Sequence, residues 1–123
     1  MKTTISSLLS MMGCMLFGAC SEGFVSQDNT GFAETIADSN VQVVDVRTPE
    51  EYAAGHIPGA ANIDVKSEEF DTKAAELDKD RPVAVYCRSG ARSKVAAKRL
   101  ADKGFTVYEL DNGFMNWDGP KAK

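Results

Sequence analysis

Apolar and polar positions alternate along this chain in two distinct rhythms. Three short runs, residues 41–46 (VQVVDV), 82–87 (PVAVYC) and 106–110 (TVYEL), are rich in β-branched or aromatic side chains and are bounded by turn-forming or polar residues. They predict buried β-strands. A weaker run at 60–63 predicts a fourth strand, and 24–26 a short further one. Between them the spacing becomes helical. Phe32, Ile36 and Ala37 share one face ahead of the first strong strand. Thr48-Pro49-Glu50-Glu51 reads as a helix start, with Thr48 as N-cap, Pro49 in the first turn and Glu51 closing a capping box. Residues 68–77 place Phe70, Ala74 and Leu77 on one face. Residues 89–103 carry Val95, Ala96 and Leu100 and end at Gly104, a C-terminal helix signal. Residues 112–117 predict a last short helix. Strands alternating with helices imply an α/β domain with a mainly parallel sheet, and ligands in such folds sit at the carboxyl ends of the strands.

The first twenty residues, MKTTISSLLSMMGCMLFGAC, follow a different rule. Lys2 gives a short positive start, residues 5–17 are apolar apart from Ser, Gly and Cys, and no acidic residue precedes Glu22. This is a signal-peptide pattern, and the apolar stretch is shorter than the roughly 20 residues a permanent spanning helix needs. Phe17-Gly18-Ala19-Cys20 resembles a bacterial lipobox, with Phe17 where Leu is usual. The expected layout is a signal peptide at 1–19, a lipidated Cys20 with a polar tether to residue 30, and a folded domain over 31–120 whose first strand begins near 24. The resemblance implies an extracytoplasmic protein anchored at the periplasmic face. Ser21, in place of Asp, favours the outer membrane.

Composition adds limits. The 123 residues carry a net charge of −4, with three Cys and one His. That length accommodates one domain, and the acidic balance argues against nonspecific nucleic-acid binding. Removing the signal takes away one base and no acid, making the remainder one unit more acidic. It also leaves Cys87 as the one unmodified thiol, so no internal disulfide is expected. One His and one free Cys make no credible metal site.

Cys87 is the chemical centre. It ends a predicted strand and opens Cys87-Arg88-Ser89-Gly90-Ala91-Arg92, followed by Ser93 and a helix. Loop N–H groups curling inward at a helix N-terminus stabilise an anion, and the same field favours a thiolate. Six basic residues (Arg88, Arg92, Lys94, Lys98, Arg99 and Lys103) lie between 88 and 103 with Asp102 as the sole acid. The expectation is a cationic mouth on an acidic protein, attracting small anions. An inert buried strand Cys would account for Cys87 alone, but not for the loop after it.

Together these segments resemble the rhodanese family of sulfurtransferases. Residues 45–52 (DVRTPEEY) continuing through 55–63 (GHIPGAANI) resemble its first signature. Residues 83–93 (VAVYCRSGARS) resemble its catalytic strand and loop, and 112–117 (NGFMNW) its C-terminal Gly-x-x-x-Trp element. The resemblance spans residues 24–119 and implies a three-layer α/β domain with helices on both faces of a mainly parallel sheet. It implies Cys87 as the catalytic residue, with Arg88, Ser89, Gly90, Ala91 and Arg92 as the substrate and persulfide loop. Asp45 would brace that loop, Arg47 would support it, and His56 would be structural. Cys87 and Arg92 have a C-x4-R spacing. Tyrosine-type phosphatases and arsenate reductases use C-x5-R, and the shorter loop should hold one terminal sulfur rather than a tetrahedral oxyanion.

The implied chemistry is double displacement through a Cys87 persulfide without metal or organic cofactor. An anionic donor such as thiosulfate would be held by Arg88 and Arg92, and cyanide or a thiol would accept the sulfur. The competing readings are a persulfide carrier for a protein donor or acceptor, and a redox-sensing module.

Overall fold

The computed structural model describes residues 23–123. The expected signal peptide and the lipidation site Cys20 lie outside them. In chain order the elements are β1 (Val25–Gln27), α1 (Asn29–Ile36), β2 (Gln42–Asp45), α2 (Pro49–Ala54), β3 (Ala61–Asn62), α3 (Phe70–Ala74), β4 (Val83–Tyr86), α4 (Ala91–Asp102), β5 (Val107–Leu110) and a 3-10 turn (Phe114–Asn116). The five strands form one sheet in the order β1-β5-β4-β2-β3, and every pairing is parallel. This is the predicted architecture. β4 is central, and since all strands run the same way, Asp45, Cys87 and Leu110 emerge at one end of the sheet.

The period of two along the strands sorts side chains onto opposite faces. Val83, Val85 and Cys87 point to one side with Val44, Val46 and Val107, and pack under α3 and α4 through Phe70, Ala74, Ala96, Ala97 and Leu100. Ala84 and Tyr86 point to the other with Leu110, and meet Phe32 of α1, Ile57, Ala60 and Trp117. Trp117 crosses Phe32 edge-on at 5.9 Å between ring centroids.

Three expectations shift. Residues 24–30 are no tether: Phe24 is buried, β1 is a sheet edge beside β5, and Asp28 caps α1 by accepting from the Gly31 N–H. The domain therefore begins before residue 31. The segment looked polar because an edge strand of three residues needs only one buried anchor. α4 starts at Ala91 rather than 89, since residues 88–90 form the loop around the sulfur. Val95 does not join the core; it is 55% exposed. The buried set is Ser93, Ala96, Ala97 and Leu100, an i, i+3, i+4, i+7 stripe with a serine in an apolar position.

The capping box at Thr48 forms as expected. Its hydroxyl accepts from the Glu51 N–H at 3.2 Å while Glu51 Oε1 accepts from the Thr48 N–H at 3.1 Å. Asp45 and Arg47 form a buried ion pair, with Nη2 2.7 Å from Oδ2 and Nε 2.9 Å from Oδ1. Arg47 also donates to the Gly55 carbonyl at 2.6 Å and lies over the Phe114 ring at 4.5 Å. Burial disfavours its charge, and the Asp45 carboxylate outweighs that, so the guanidinium is held more firmly protonated than usual. The pair fastens the β2 exit to the α2–β3 connection and to the C-terminal turn.

Asp45→Ala leaves Arg47 as a buried charge without its partner. It should destabilise the fold by about 3–5 kcal/mol in urea denaturation. The double variant Asp45→Ala/Arg47→Met should lose clearly less than Asp45→Ala alone.

Candidate active site

The sequence 87–90 leaves β4 and must turn sharply to start α4. Gly90 makes the turn, with φ of 105° as the N-cap of α4. The turn brings the Gly90 N–H to 3.1 Å from Cys87 Sγ. The loop is also docked from outside. Phe114 N–H donates to the Cys87 carbonyl at 2.8 Å, and Met115 N–H to the Arg88 carbonyl at 3.0 Å. Gly113, with φ of 75°, permits this approach: a Cβ there would stand 2.2 Å from the Arg88 carbonyl oxygen. A Cβ on Gly90 would stand 2.0 Å from the Asp111 carbonyl oxygen. The C-terminal Gly-x-x-x-Trp element thus forms the outer wall of the loop.

Cys87 is buried. Its thiol donates to Ser93 Oγ at 3.4 Å. Burial works against a charge on this sulfur. The Ser93 hydroxyl and the N–H groups of Ser93, Gly90 and Ser89 outweigh it, so the thiol sits below its ordinary pKa. The N-terminus of α4, twelve residues long, adds its partial positive charge from the same side. The loop therefore suits a sulfur that carries or develops negative charge.

The basic residues are arranged differently from the expectation. Arg92 faces Glu51 in a two-point pair, Nη1–Oε1 2.8 Å and Nη2–Oε2 3.1 Å. Lys94 pairs with Asp111 at 2.8 Å and with Glu109 at 3.2 Å. Lys98 pairs with Asp102, and Arg99 and Lys103 with Asp71. The cationic mouth is thus largely neutralised, by Asp102 on α4 itself and by acids brought from α2, α3, β5 and the turn after β5, which sequence proximity did not reveal. Among the described residues, Arg88 alone of the six forms no salt bridge, and it is exposed. Ser89 and Ala91 are exposed beside it.

Asp45 makes no hydrogen bond to the loop among the described residues; its carboxylate is committed to Arg47. His56 stacks on Tyr52 at 3.7 Å between ring centroids, its Nδ1 2.8 Å from the Tyr52 carbonyl, which is a packing role. Two residues were given no role in the sequence. Ser93 touches the sulfur. Glu109 is fully buried on β5 and accepts from Ser93 Oγ at 2.5 Å. The available signal was a glutamate inside an otherwise apolar strand, TVYEL.

The Arg92–Glu51 pair gives a pH signature. Arg92 and the Thr48 cap outweigh the effect of burial and lower the Glu51 carboxyl from its ordinary 4.5 to about 2. A carboxylate depressed by folding stabilises the fold above its unfolded pKa, and that contribution is lost as pH falls through the folded value. The melting temperature of the wild type should exceed that of Glu51→Gln at pH 6–7, and the gap should close as pH falls from 4.5 towards 2. Thermal melts across that range check it.

Comparison with known proteins agrees with this geometry. Residues 28–119 match the rhodanese-like domain family. The chain is 42% identical over 86 residues to thiosulfate sulfurtransferase GlpE of Pseudomonas paraeruginosa, covering 69% of this chain and 76% of that one. It is 42% identical over 84 residues to the uncharacterized protein YqhL of Bacillus subtilis, covering 67% of this chain and 65% of YqhL. Putative sulfurtransferase YtwF of Bacillus subtilis is 39% identical over 83 residues, 68% of this chain and 79% of that one. Among solved structures, a rhodanese-related protein from Thermoplasma volcanium superposes with a TM-score of 0.70 at 29% identity, covering 79% of this chain and 96% of that one. A rhodanese with anions from E. coli gives 0.57 at 36% identity, covering 68% and 98%. With the five-stranded parallel sheet and the sulfur-cradling loop, these matches place the chain in the rhodanese-like domain family, whose members named here for an activity are sulfurtransferases.

Proposed function

We propose that this protein is a sulfurtransferase that carries sulfane sulfur on Cys87 from an anionic donor of the thiosulfate type to a thiophilic acceptor. The observation that carries this reading is the Cys87 sulfur beneath inward-pointing N–H groups, with Gly90 N at 3.1 Å and Ser93 Oγ at 3.4 Å. In the first half-reaction the Cys87 thiolate attacks the outer sulfur of thiosulfate. The new Sγ–S bond forms as the donor S–S bond breaks, and sulfite leaves with the bonding pair. The persulfide charge rests on the outer sulfur, facing the loop N–H groups. In the second, cyanide or a thiolate attacks that outer sulfur, and Cys87 departs as thiolate.

Arg88 is the donor-binding cation in this account, because it is exposed and has no acidic partner among the described residues, while Arg92 is held by Glu51. The second reading, transfer to or from a protein partner, is favoured by Met115. It is 56% exposed, hydrogen-bonded through its N–H to the Arg88 carbonyl, and offers an apolar contact at the rim of the site. For the location, we propose from the sequence of residues 1–20 that Cys20 is lipidated and tethers the domain to the periplasmic face of the outer membrane.

In a thiosulfate–cyanide assay the wild type should show ping-pong kinetics and Cys87→Ser no activity. Arg88→Ala should raise the thiosulfate KM about tenfold, as expected for loss of a charge-assisted contact, with little change in melting temperature. Failure of the wild type to transfer sulfur from thiosulfate contradicts the donor class. In a bacterial host, Cys20→Ala should move the protein from the membrane to the soluble fraction; retention on the membrane contradicts the lipid anchor.

A further inference from the structure

Among the buried ionisable groups that the mechanism leaves unused, Glu109 is the one joined to the sulfur by hydrogen bonds. Glu109 lies on β5, opposite Ser26 of β1 and Val85 of β4 in the sheet register, with no exposure to solvent. A carboxylate in that position requires donors. It has three: Ser26 Oγ donates to Oε1 at 2.6 Å, Ser93 Oγ to Oε2 at 2.5 Å, and Lys94 Nζ lies 3.2 Å from the same Oε2. Ser93 in turn accepts the Cys87 thiol proton. An unbroken chain therefore runs from the sulfur through one hydroxyl to a buried carboxyl.

We propose that Glu109, acting through Ser93, sets how tightly Cys87 holds its proton. A serine has one hydroxyl proton. In the structure that proton points to Glu109, so the stabilisation a donating Ser93 hydroxyl gives the thiolate comes only at the expense of the Glu109 contact. When Cys87 ionises, its sulfur needs a donor instead. Ser93 must then turn its proton to the sulfur and abandon the carboxylate. The two groups compete for one donor, so the Glu109 carboxylate restrains the thiolate. Loading relieves the competition. Once sulfur is transferred, Cys87 Sγ is part of a neutral S–S bond, the charge has moved to the outer sulfur, and Ser93 returns to Glu109. Glu109 is thus a positioning residue that raises the free energy of the thiolate relative to the persulfide.

The charged groups facing the chain are Lys94 and Asp111 beside the carboxylate and Arg92, with its partner Glu51, on the sulfur side. Lys94 is shared between two acids, so its charge does not settle the contest in favour of Glu109.

This inference deepens the reading of Cys87 as the reactive sulfur, but it concerns the proton rather than the donor. It is tested by alkylation, which proceeds even in a protein that transfers no sulfur. The full-length chain is treated with iodoacetamide across pH 4–10, and modification of the Cys87 peptide is followed by mass spectrometry, which separates it from Cys14 and Cys20. Glu109→Gln should move the alkylation midpoint down, making Cys87 react about tenfold faster at a pH below both midpoints. In a Ser93→Ala background the same substitution should change the rate less than about threefold. An unchanged or raised midpoint in Glu109→Gln overturns the proposal. An equal effect with and without Ser93 also overturns it, because the field of the carboxylate would then act without the hydroxyl.

Should Glu109→Gln not fold, the wild type supplies the test. Carbon-13 NMR of the Glu109 side-chain carboxyl should show an inflection at the Cys87 midpoint that disappears in Ser93→Ala. A flat response in the wild type overturns the coupling.

Discussion

The structure turns on one close approach. The backbone of residues 87–90 runs against the backbone of 111–115 with no room for a side chain between them, and Gly90 and Gly113 are the residues that permit it. From this contact the rest follows. Because Gly113 lets the Arg88 carbonyl in, the N–H groups of Phe114 and Met115 satisfy the outward-facing carbonyls of the loop. Because those carbonyls are satisfied outward, the loop N–H groups are left to face inward, towards the sulfur. A loop with unsatisfied carbonyls would not hold that orientation against water. The anion cradle is therefore a property of two segments, and the C-terminal turn is as much a part of it as the loop.

Electrostatics are layered around the same point. Most of the partial charges that act on Cys87 are fixed ones, N–H groups and a helix terminus, which cannot swing away; the Ser93 hydroxyl is the one that can turn. The full charges are paired around them: Arg92 with Glu51, Lys94 with Glu109 and Asp111, Arg47 with Asp45. This arrangement fits a sulfur that must be stable as an anion and still leave. On the proposed mechanism a ring of free cations would hold sulfite as firmly as thiosulfate, whereas one exposed guanidinium, Arg88, would attract the donor without trapping the product.

The strands, the helices and Cys87 were legible in the sequence because they depend on local patterns. The short apolar runs rich in β-branched residues located β2, β4 and β5, and Thr48-Pro49-Glu50-Glu51 located the capped start of α2. The resemblance to the rhodanese family marked both the loop and the C-terminal Gly-x-x-x-Trp element, but not that the second forms the outer wall of the first. The pairing of charges was not legible, since Glu51 meets Arg92 across 41 positions and Asp71 meets Arg99 across 28. Val95 was placed in the core because it is apolar, whereas the helix phase exposes it and buries Ser93. That phase error also concealed the Ser93–Glu109 contact. A polar residue on the apolar stripe of a helix and an acid within an apolar strand are each weak signals, and they gain meaning only when the fold brings them together.

On the proposed function the loop holds sulfur on Cys87. Intact mass spectrometry after incubation with thiosulfate, followed by peptide mapping, reads this out. The protein should gain one sulfur atom located at Cys87, removed by cyanide and absent in Cys87→Ser. A protein that gains no sulfur at Cys87 while remaining folded would contradict it.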